Sequence, residues 1–415
     1  MPKNAYAIIK DFIDEFIIEM IPGTIASDIQ KAKKRYTKRH VTNLYEHRIY
    51  LSDEIHFFSI TKSKPFSTKE HTLISDIIDE ALSRGAFDDT YRDEISKGII
   101  ELAIAKYAGG QLWETIKGVL ELYNSWSSQT YEGNRISHNI GVHLSGTPEL
   151  FANRIIQFKD EDYLKILGSS YDSILTLSPA GSIKGLEILA RETLSELEKL
   201  DAPISMAHIA AWAQAKKVAI SLTRNGEILL FKDKKLSFAK RRGAWRYFPH
   251  ELILRDTLQI PDFDISRDLR VAVYRTALDV AFSRGGACIG IVPSVEGLEA
   301  CIPPDCTLKN YKENQDVYRT IIGKNKFYEI SRSARAELCS VDGATVVDCK
   351  GNIICVGAIL ITEGNASGGG GRSAAAKRIS DYGIGIKVSN DGYIELFPKG
   401  YNKLNKNEQI STEWA

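Results

Sequence analysis

The chain has almost no net charge: 54 lysines and arginines against 53 aspartates and glutamates leave +1. So balanced a surface gives no global attraction to nucleic acid or to an anionic membrane, and any electrostatic function must be local. A long uninterrupted apolar run is also missing. The stretch from Ala5 to Met20 comes nearest, but Lys10, Asp11, Asp14, Glu15 and Glu19 interrupt it and no small-residue cleavage site follows. It is expected to be neither a spanning helix nor a secretory signal, and no membrane partner is expected. Ile8, Phe12, Phe16 and Met20 recur at helical spacing, so it reads as an amphipathic helix docked on the body of the protein or on a partner chain. Cysteine is absent before Cys288; all six fall between Cys288 and Cys355, with no histidine beside them to complete a zinc set. Free buried thiols in a reducing cytoplasm are the expectation. There is no internal repeat, and the only low-complexity stretch is the glycine run beginning at Gly368.

What is present is enough for two or three domains: 415 residues, 43% hydrophobic and 26% charged. Residues 1–128 read as a predominantly helical region. Ser27 is placed to cap a second helix carrying Lys31, Lys33, Lys34, Arg35, Lys38, Arg39 and His40. Such a cluster can neutralise phosphates, or it can be a solvated face balanced by the acids of the first helix. Ser67-Thr-Lys-Glu70 is a capping box opening a helix with an apolar stripe, and Tyr91 to Tyr107 and Leu112 to Trp126 are further helices.

Residues 129–260 read as a mixed α/β domain. Ile136 to Ser145 and Tyr171 to Ser178 are expected strands. Asp160 to Leu167, Leu186 to Leu200 and Ser205 to Ala215 are expected helices, followed by a hairpin turning at Asn225-Gly226. Lys240-Arg241-Arg242 with Trp245, Arg246 and Tyr247 interleaves bases with aromatics, either to stack a base and hold a phosphate or as a surface turn beside a core tryptophan. Glu132, His138 and His143 are polar enough for a pocket, but strand alternation puts the two histidines on opposite faces. Pro261 marks a boundary; residues 261–400 form the last domain, expected to fold by itself, and 401–415 a tail.

Chemistry gathers in that last domain. An amphipathic helix, Asp268 to Arg284, runs through Gly285-Gly286 into a buried strand ending at Val292. Ser340-Val-Asp-Gly-Ala344 then precedes a strand, a tight turn at Cys349-Lys-Gly-Asn352 and a second strand. Roughly thirty residues after Asp342, Gly368-Gly-Gly-Gly-Arg-Ser-Ala-Ala-Ala376 opens a helix. One carboxylate can seat Mg²⁺ or Mn²⁺ when triphosphate oxygens and water complete the shell. Glycine amides and a helix N-terminus suit phosphate.

Over about residues 265–398 this order of parts resembles the diadenylate cyclase domain, whose members condense two ATP into cyclic di-AMP. The family's Asp-Gly-Ala motif is matched by Asp342, Gly343 and Ala344. Its Gly-Thr-Arg-His-Arg-Ala-Ala motif is matched at Arg372, with Ser373 in place of histidine and Ala374 in place of the second arginine. Its Ser-Glu-Glu is matched by Ser389-Asn390-Asp391, which is also an ordinary hairpin turn.

The resemblance implies an α/β fold: a mixed sheet flanked by helices, preceded by a mixed α/β domain and a helical region that look like a sensor for an unknown upstream ligand. It implies that Asp342 holds the metal, with Asp391 a second candidate ligand. The nucleotide would rest on Gly343, Ala344, Gly369, Gly370, Gly371, Arg372, Ser373 and Ser389. It further implies a dimer in the active state, because a cyclic product needs two sites face to face. Loss of His and Arg leaves open a receptor that binds nucleotide without turnover; nucleic-acid binding through residues 31–40 is a third reading.

Overall fold

The computed structural model describes residues 4–27, 30–31, 43–51, 54–62, 65–84, 92–146, 155, 160–189, 193–256, 258–261, 263–294, 298, 301–303, 318, 320–361, 370–403 and 412–413. They form an α/β protein in two compact units, one of residues 1–192 and 208–248, the other of 193–207 and 249–415. Residues 193–207 and 249–260, read from sequence as part of a middle domain, belong to the second unit.

In the first unit, α1 (Asn4–Phe12) continues into a π-helical turn, Ile13–Ile18, which buries Ile13 and Ile17. Four strands follow: β1 (Thr24–Ala26), β2 (Gln30–Lys31), β3 (Leu44–Leu51) and β4 (Glu54–Lys62), with β4 antiparallel to each of the others. These strands interrupt a region that is otherwise helical, as expected. In β4, Phe58 and Ile60 are buried while Ser59 between them is not, the period of a strand with one face covered. Ser27 caps no helix; its hydroxyl accepts from Ser59 N and Oγ at 3.0 and 2.8 Å. Lys31 lies in a strand, and the rest of the basic cluster, residues 32–40, is outside the described residues.

Helices α2 (Thr68–Ser83), α3 (Arg92–Gly109) and α4 (Trp113–Trp126) follow, α2 opened by the predicted Ser67/Glu70 capping box. After a short hairpin of β5 (Thr130–Tyr131) and β6 (Asn134–Arg135) comes a seven-stranded sheet. Its strands are β7 (His138–His143), β8 (Ser173–Leu177), β9 (Ile183–Ile188), β10 (Lys217–Leu222), β11 (Ile228–Lys232), β12 (Lys235–Arg241) and β13 (Ala244–Tyr247). They are ordered β13-β12-β11-β10-β7-β8-β9 and antiparallel except for β7 with β8. The start of the expected 186–200 helix is therefore edge strand β9, since Leu186 pairs with Leu175 and helix begins only after Thr193, in α5 (Leu194–Leu197).

The second unit carries α5, α7 (His250–Asp256), α8 (Arg267–Phe282), β14 (Ala287–Val292), α9 (Arg332–Ser340), β15 (Ala344–Asp348), β16 (Ile353–Ala358), α10 (Gly370–Ile379), β17 (Ile384–Val388), β18 (Ile394–Phe397) and β19 (Thr412–Glu413); α6 (Ala207–Trp212) begins at the junction. Its sheet has the order β16-β15-β14-β17-β18-β19, with β14 and β15 parallel and the other pairs antiparallel. Ser266 caps α8 through Leu269 N. α10 lies directly on the sheet: a Cβ on Gly385 of β17 would fall 1.9 Å from Ala376 O, so only glycine permits this approach.

Residues 193–207 are held into this unit by Arg332, whose side chain is fully buried. Its Nε and Nη2 donate to Asp279 Oδ2 and Oδ1 at 2.6 and 2.8 Å, and Nη1 and Nη2 donate to Leu200 O and Ala202 O at 2.8 and 2.5 Å. Asp279 Oδ1 also accepts from Ile204 N at 2.8 Å. Burial raises the Asp279 carboxyl above its usual range despite the opposing pull of Arg332, and burial with Arg332 lowers neighbouring Arg335 to about 10.

Candidate functional site

The six-stranded sheet brings the scattered motif residues to one of its ends. β14 and β15 run in parallel from Cys288 opposite Ala344, so the turns before them, Gly285-Gly286 and Asp342-Gly343, emerge together. β17 is antiparallel to β14 and pairs Val388 with Ala287, which delivers Ser389-Asn390-Asp391 to the same end. Ala358, the last residue of β16, pairs with Ala344. α10 completes the arrangement: Ala376 lies against Gly385 and Arg372 reaches Asn390, so its N-terminus points this way too.

Asp342 is exposed, and its carboxylate has no hydrogen bond or ion pair among the described residues. Gly343 has φ +106° and a Cβ there would sit 2.4 Å from the Gly357 backbone, so the turn presenting Asp342 requires glycine on both counts. Ala344 is buried as the first residue of β15. A single open carboxylate fits a hard cation that takes most of its ligands from phosphate and water. No set of three His, Cys, Asp or Glu residues gathers as a metal site among the described residues.

Arg372 Nη1 donates to Asn390 Oδ1 at 2.9 Å, while its Nε is buried and lacks a hydrogen-bond partner among the described residues. The pair lies over Gly286, where a Cβ would come within 2.1 Å of Arg372 Nη1 and 2.3 Å of Asn390 Oδ1. Its charge is felt at the root of β14: burial pushes the Cys288 thiol up to about 12, with Arg372 pulling the other way. Asn390 and Gly286 were noted in the sequence, but their roles toward Arg372 were not. A glycine preceding a buried strand was the available signal for the second; nothing local marked the first as a partner of Arg372.

Gly370 and Gly371 are exposed at the opening of α10, and Gly369 lies outside the described residues. Ser373 faces inward with Ala376 and Ile379, which puts it on the buried side of the helix. Ser389, Asn390 and Asp391 form a hairpin turn: Ser389 N donates to Tyr393 O at 2.9 Å and Gly392 N to Ser389 O at 2.8 Å. Ser389 is partly buried and Asp391 exposed.

The other candidates lie elsewhere. Arg241 pairs with Glu227 at 2.9 Å, both buried, and Lys240 Nζ is held by Glu101 Oε1 at 2.9 Å and Asn124 Oδ1 at 2.8 Å. Lys240 and Arg241, two of the cations read as phosphate ligands, are thus engaged. His138 is buried, its Nδ1 2.9 Å from Tyr123 Oη, and burial lowers it to about 4. His143 stands on the opposite face, 3.7 Å from Glu187. Glu132 sits exposed in the β5–β6 turn. Cys288, Cys301, Cys339, Cys349 and Cys355, in the second unit, are buried and form no disulfide among the described residues.

No helix among the described residues is long and apolar enough to cross a membrane. No protein-family model matches the chain, and no curated protein matches it. Among solved structures, it is similar to a double mutant of DacA from Staphylococcus aureus, at 21% identity and a TM-score of 0.21, over 31% of this chain and 80% of that one.

Proposed function

We propose that the second unit is a nucleotide site of the diadenylate cyclase type, which condenses two ATP into a cyclic dinucleotide with Mg²⁺ or Mn²⁺. One observation carries the reading: the sheet gathers Asp342, Arg372 and the Ser389-Asn390-Asp391 turn at one end. These are the positions matched to the family's motifs. The 3′-hydroxyl of one ATP must attack the α-phosphorus of the other in line, and most of what a protein contributes to such a step is positioning and charge neutralisation. Asp342 would hold the metal, which when bound neutralises phosphate charge. Arg372 would donate to phosphate oxygens through the nitrogens that Asn390 does not occupy, and the amides opening α10 would add positive field.

A cyclic product requires two such ends to meet. Ile359 and Ile361, 72% and 54% exposed, follow β16 at this end and give it apolar surface for a second copy.

Ser373 favours the second reading, a nucleotide receptor. It occupies the family's histidine position but lies on the buried side of α10, and Ala374 brings no charge, so Arg372 is the only cation of the motif's triplet. Incubation of the purified chain with each NTP and Mg²⁺ or Mn²⁺, read by mass spectrometry, separates the two. A cyclic dinucleotide that disappears in Asp342→Asn supports the cyclase. Binding without product under every condition supports the receptor.

A further inference from the structure

The first unit contains a cleft of about 290 Å³ that does not depend on the nucleotide reading. Its walls come from the π-helical turn after α1, from α3 and from the β12–β13 hairpin, and it is lined by Glu15, Phe16, Glu19, Glu101, Lys240 and Trp245. Helices of the i→i+5 type are uncommon and recur at functional sites. Here Glu15 and Phe16 lie in the turn and Glu19 caps its end, and all three line the cleft.

The charges in the cleft are unequal in kind. Glu101 is 5% exposed, and the donors from Lys240, Asn124 and Trp245 all converge on its Oε1 at 2.9, 2.7 and 3.4 Å. Its Oε2 has no partner among the described residues. Lys240 is consumed by Glu101 and Asn124 and lies over the Trp245 ring at 5.9 Å, so it is not available to an anion. Glu15 and Glu19 are exposed, and their carboxylates make no ion pair among the described residues. With Arg242 at the hairpin tip, three carboxylates face two cations. A polyanion such as a nucleotide is disfavoured there. A cation with an apolar body meets carboxylates at the mouth and aromatic surface within.

We propose that this cleft binds a small organic cation, an ammonium on an apolar body, with the charge between Glu15 and Glu19 and the body against Phe16, Ile100 and Trp245. The test is calorimetric titration of the full chain with benzylammonium, benzyl alcohol and benzoate at neutral pH, supported by saturation-transfer NMR. Benzylammonium should bind about tenfold or more tighter than the isosteric alcohol, as for a hydrogen bond to a charged group, and benzoate should not bind. Glu101→Gln is a poor probe because it unpairs buried Lys240. The double variant Glu15→Gln/Glu19→Gln alters two exposed side chains and should keep the melting temperature while weakening benzylammonium by about tenfold. Equal affinity for amine and alcohol, binding of benzoate, an unchanged double variant, or no binding of benzylammonium at millimolar concentration would each overturn the proposal.

Discussion

Two arginines of the second unit stand in opposite circumstances. Arg332, between α8 and α9, is fully buried, with donors on Asp279, Leu200 and Ala202. Arg372, at the sheet end, has one bond to Asn390 and a buried Nε without a partner among the described residues. The first is closed by the fold and orders it; the second is held in position with capacity to spare. A charge whose donors are satisfied internally is structural, whereas one held but unsaturated is ready for a ligand.

The largest effect should come from breaking the closed end. Arg332→Leu leaves Asp279 buried without its cation and should cost about 3–5 kcal/mol in chemical denaturation, with partial recovery in Arg332→Leu/Asp279→Leu. A fragment beginning at Pro261 lacks Leu200 O, Ala202 O and Ile204 N altogether. It should fail to give a cooperative melt, contrary to the expectation that this domain stands alone; a melt matching that of the full chain would refute the assignment of 193–207 to its core.

Next in size is a titration in the first unit. His138 has its folded pKa lowered by burial to about 4 from 6.5, so between these values the unfolded chain takes up a proton that the folded chain does not. Stability should be full above pH 6.5, fall as the pH drops below it and level off near pH 4, a loss of about 3 kcal/mol. His138→Phe should flatten that part of the pH profile in denaturant titrations, even if it lowers stability at neutral pH by removing the Tyr123 contact.

At the open end, Arg372→Ala should leave the melt nearly unchanged and weaken ATP about tenfold or more, with a smaller change for adenosine, because the guanidinium is assigned to phosphate. Equal losses for ATP and adenosine in calorimetry would show that Arg372 serves the nucleoside instead. The smallest change tested is Gly286→Ala. Its backbone is not left-handed, and the added methyl meets the far end of a flexible side chain, so stability should move by less than about 1 kcal/mol. Arg372 and Asn390 must shift, and ATP affinity should fall with them while adenosine affinity holds.

Much of this architecture was legible because its signals are local. The Ser67/Glu70 cap, the period of α8, the Asn225-Gly226 turn and the run from Asp342 through β16 each depend on residues a few positions apart, where capping, periodicity and turn chemistry act. Strands β3 and β4 were missed because the neighbouring basic cluster suggested helix, and strand pairing is decided by partners elsewhere in the chain. Within the site, the motif types of Asp342 and Arg372 were readable from sequence, as was the turn at Ser389-Asn390-Asp391. Their meeting at one sheet end, the seating of Arg372 by Asn390 over Gly286, and the inward turn of Ser373 were not. Nor was the capture of residues 193–207 by Arg332. A sequence encodes which groups can form an element, but the parallel register of β14 with β15, the approach of α10 to Gly385 and the satisfaction of a buried guanidinium are long-range matters. They are settled only when the whole sheet packs and each buried donor finds its acceptor.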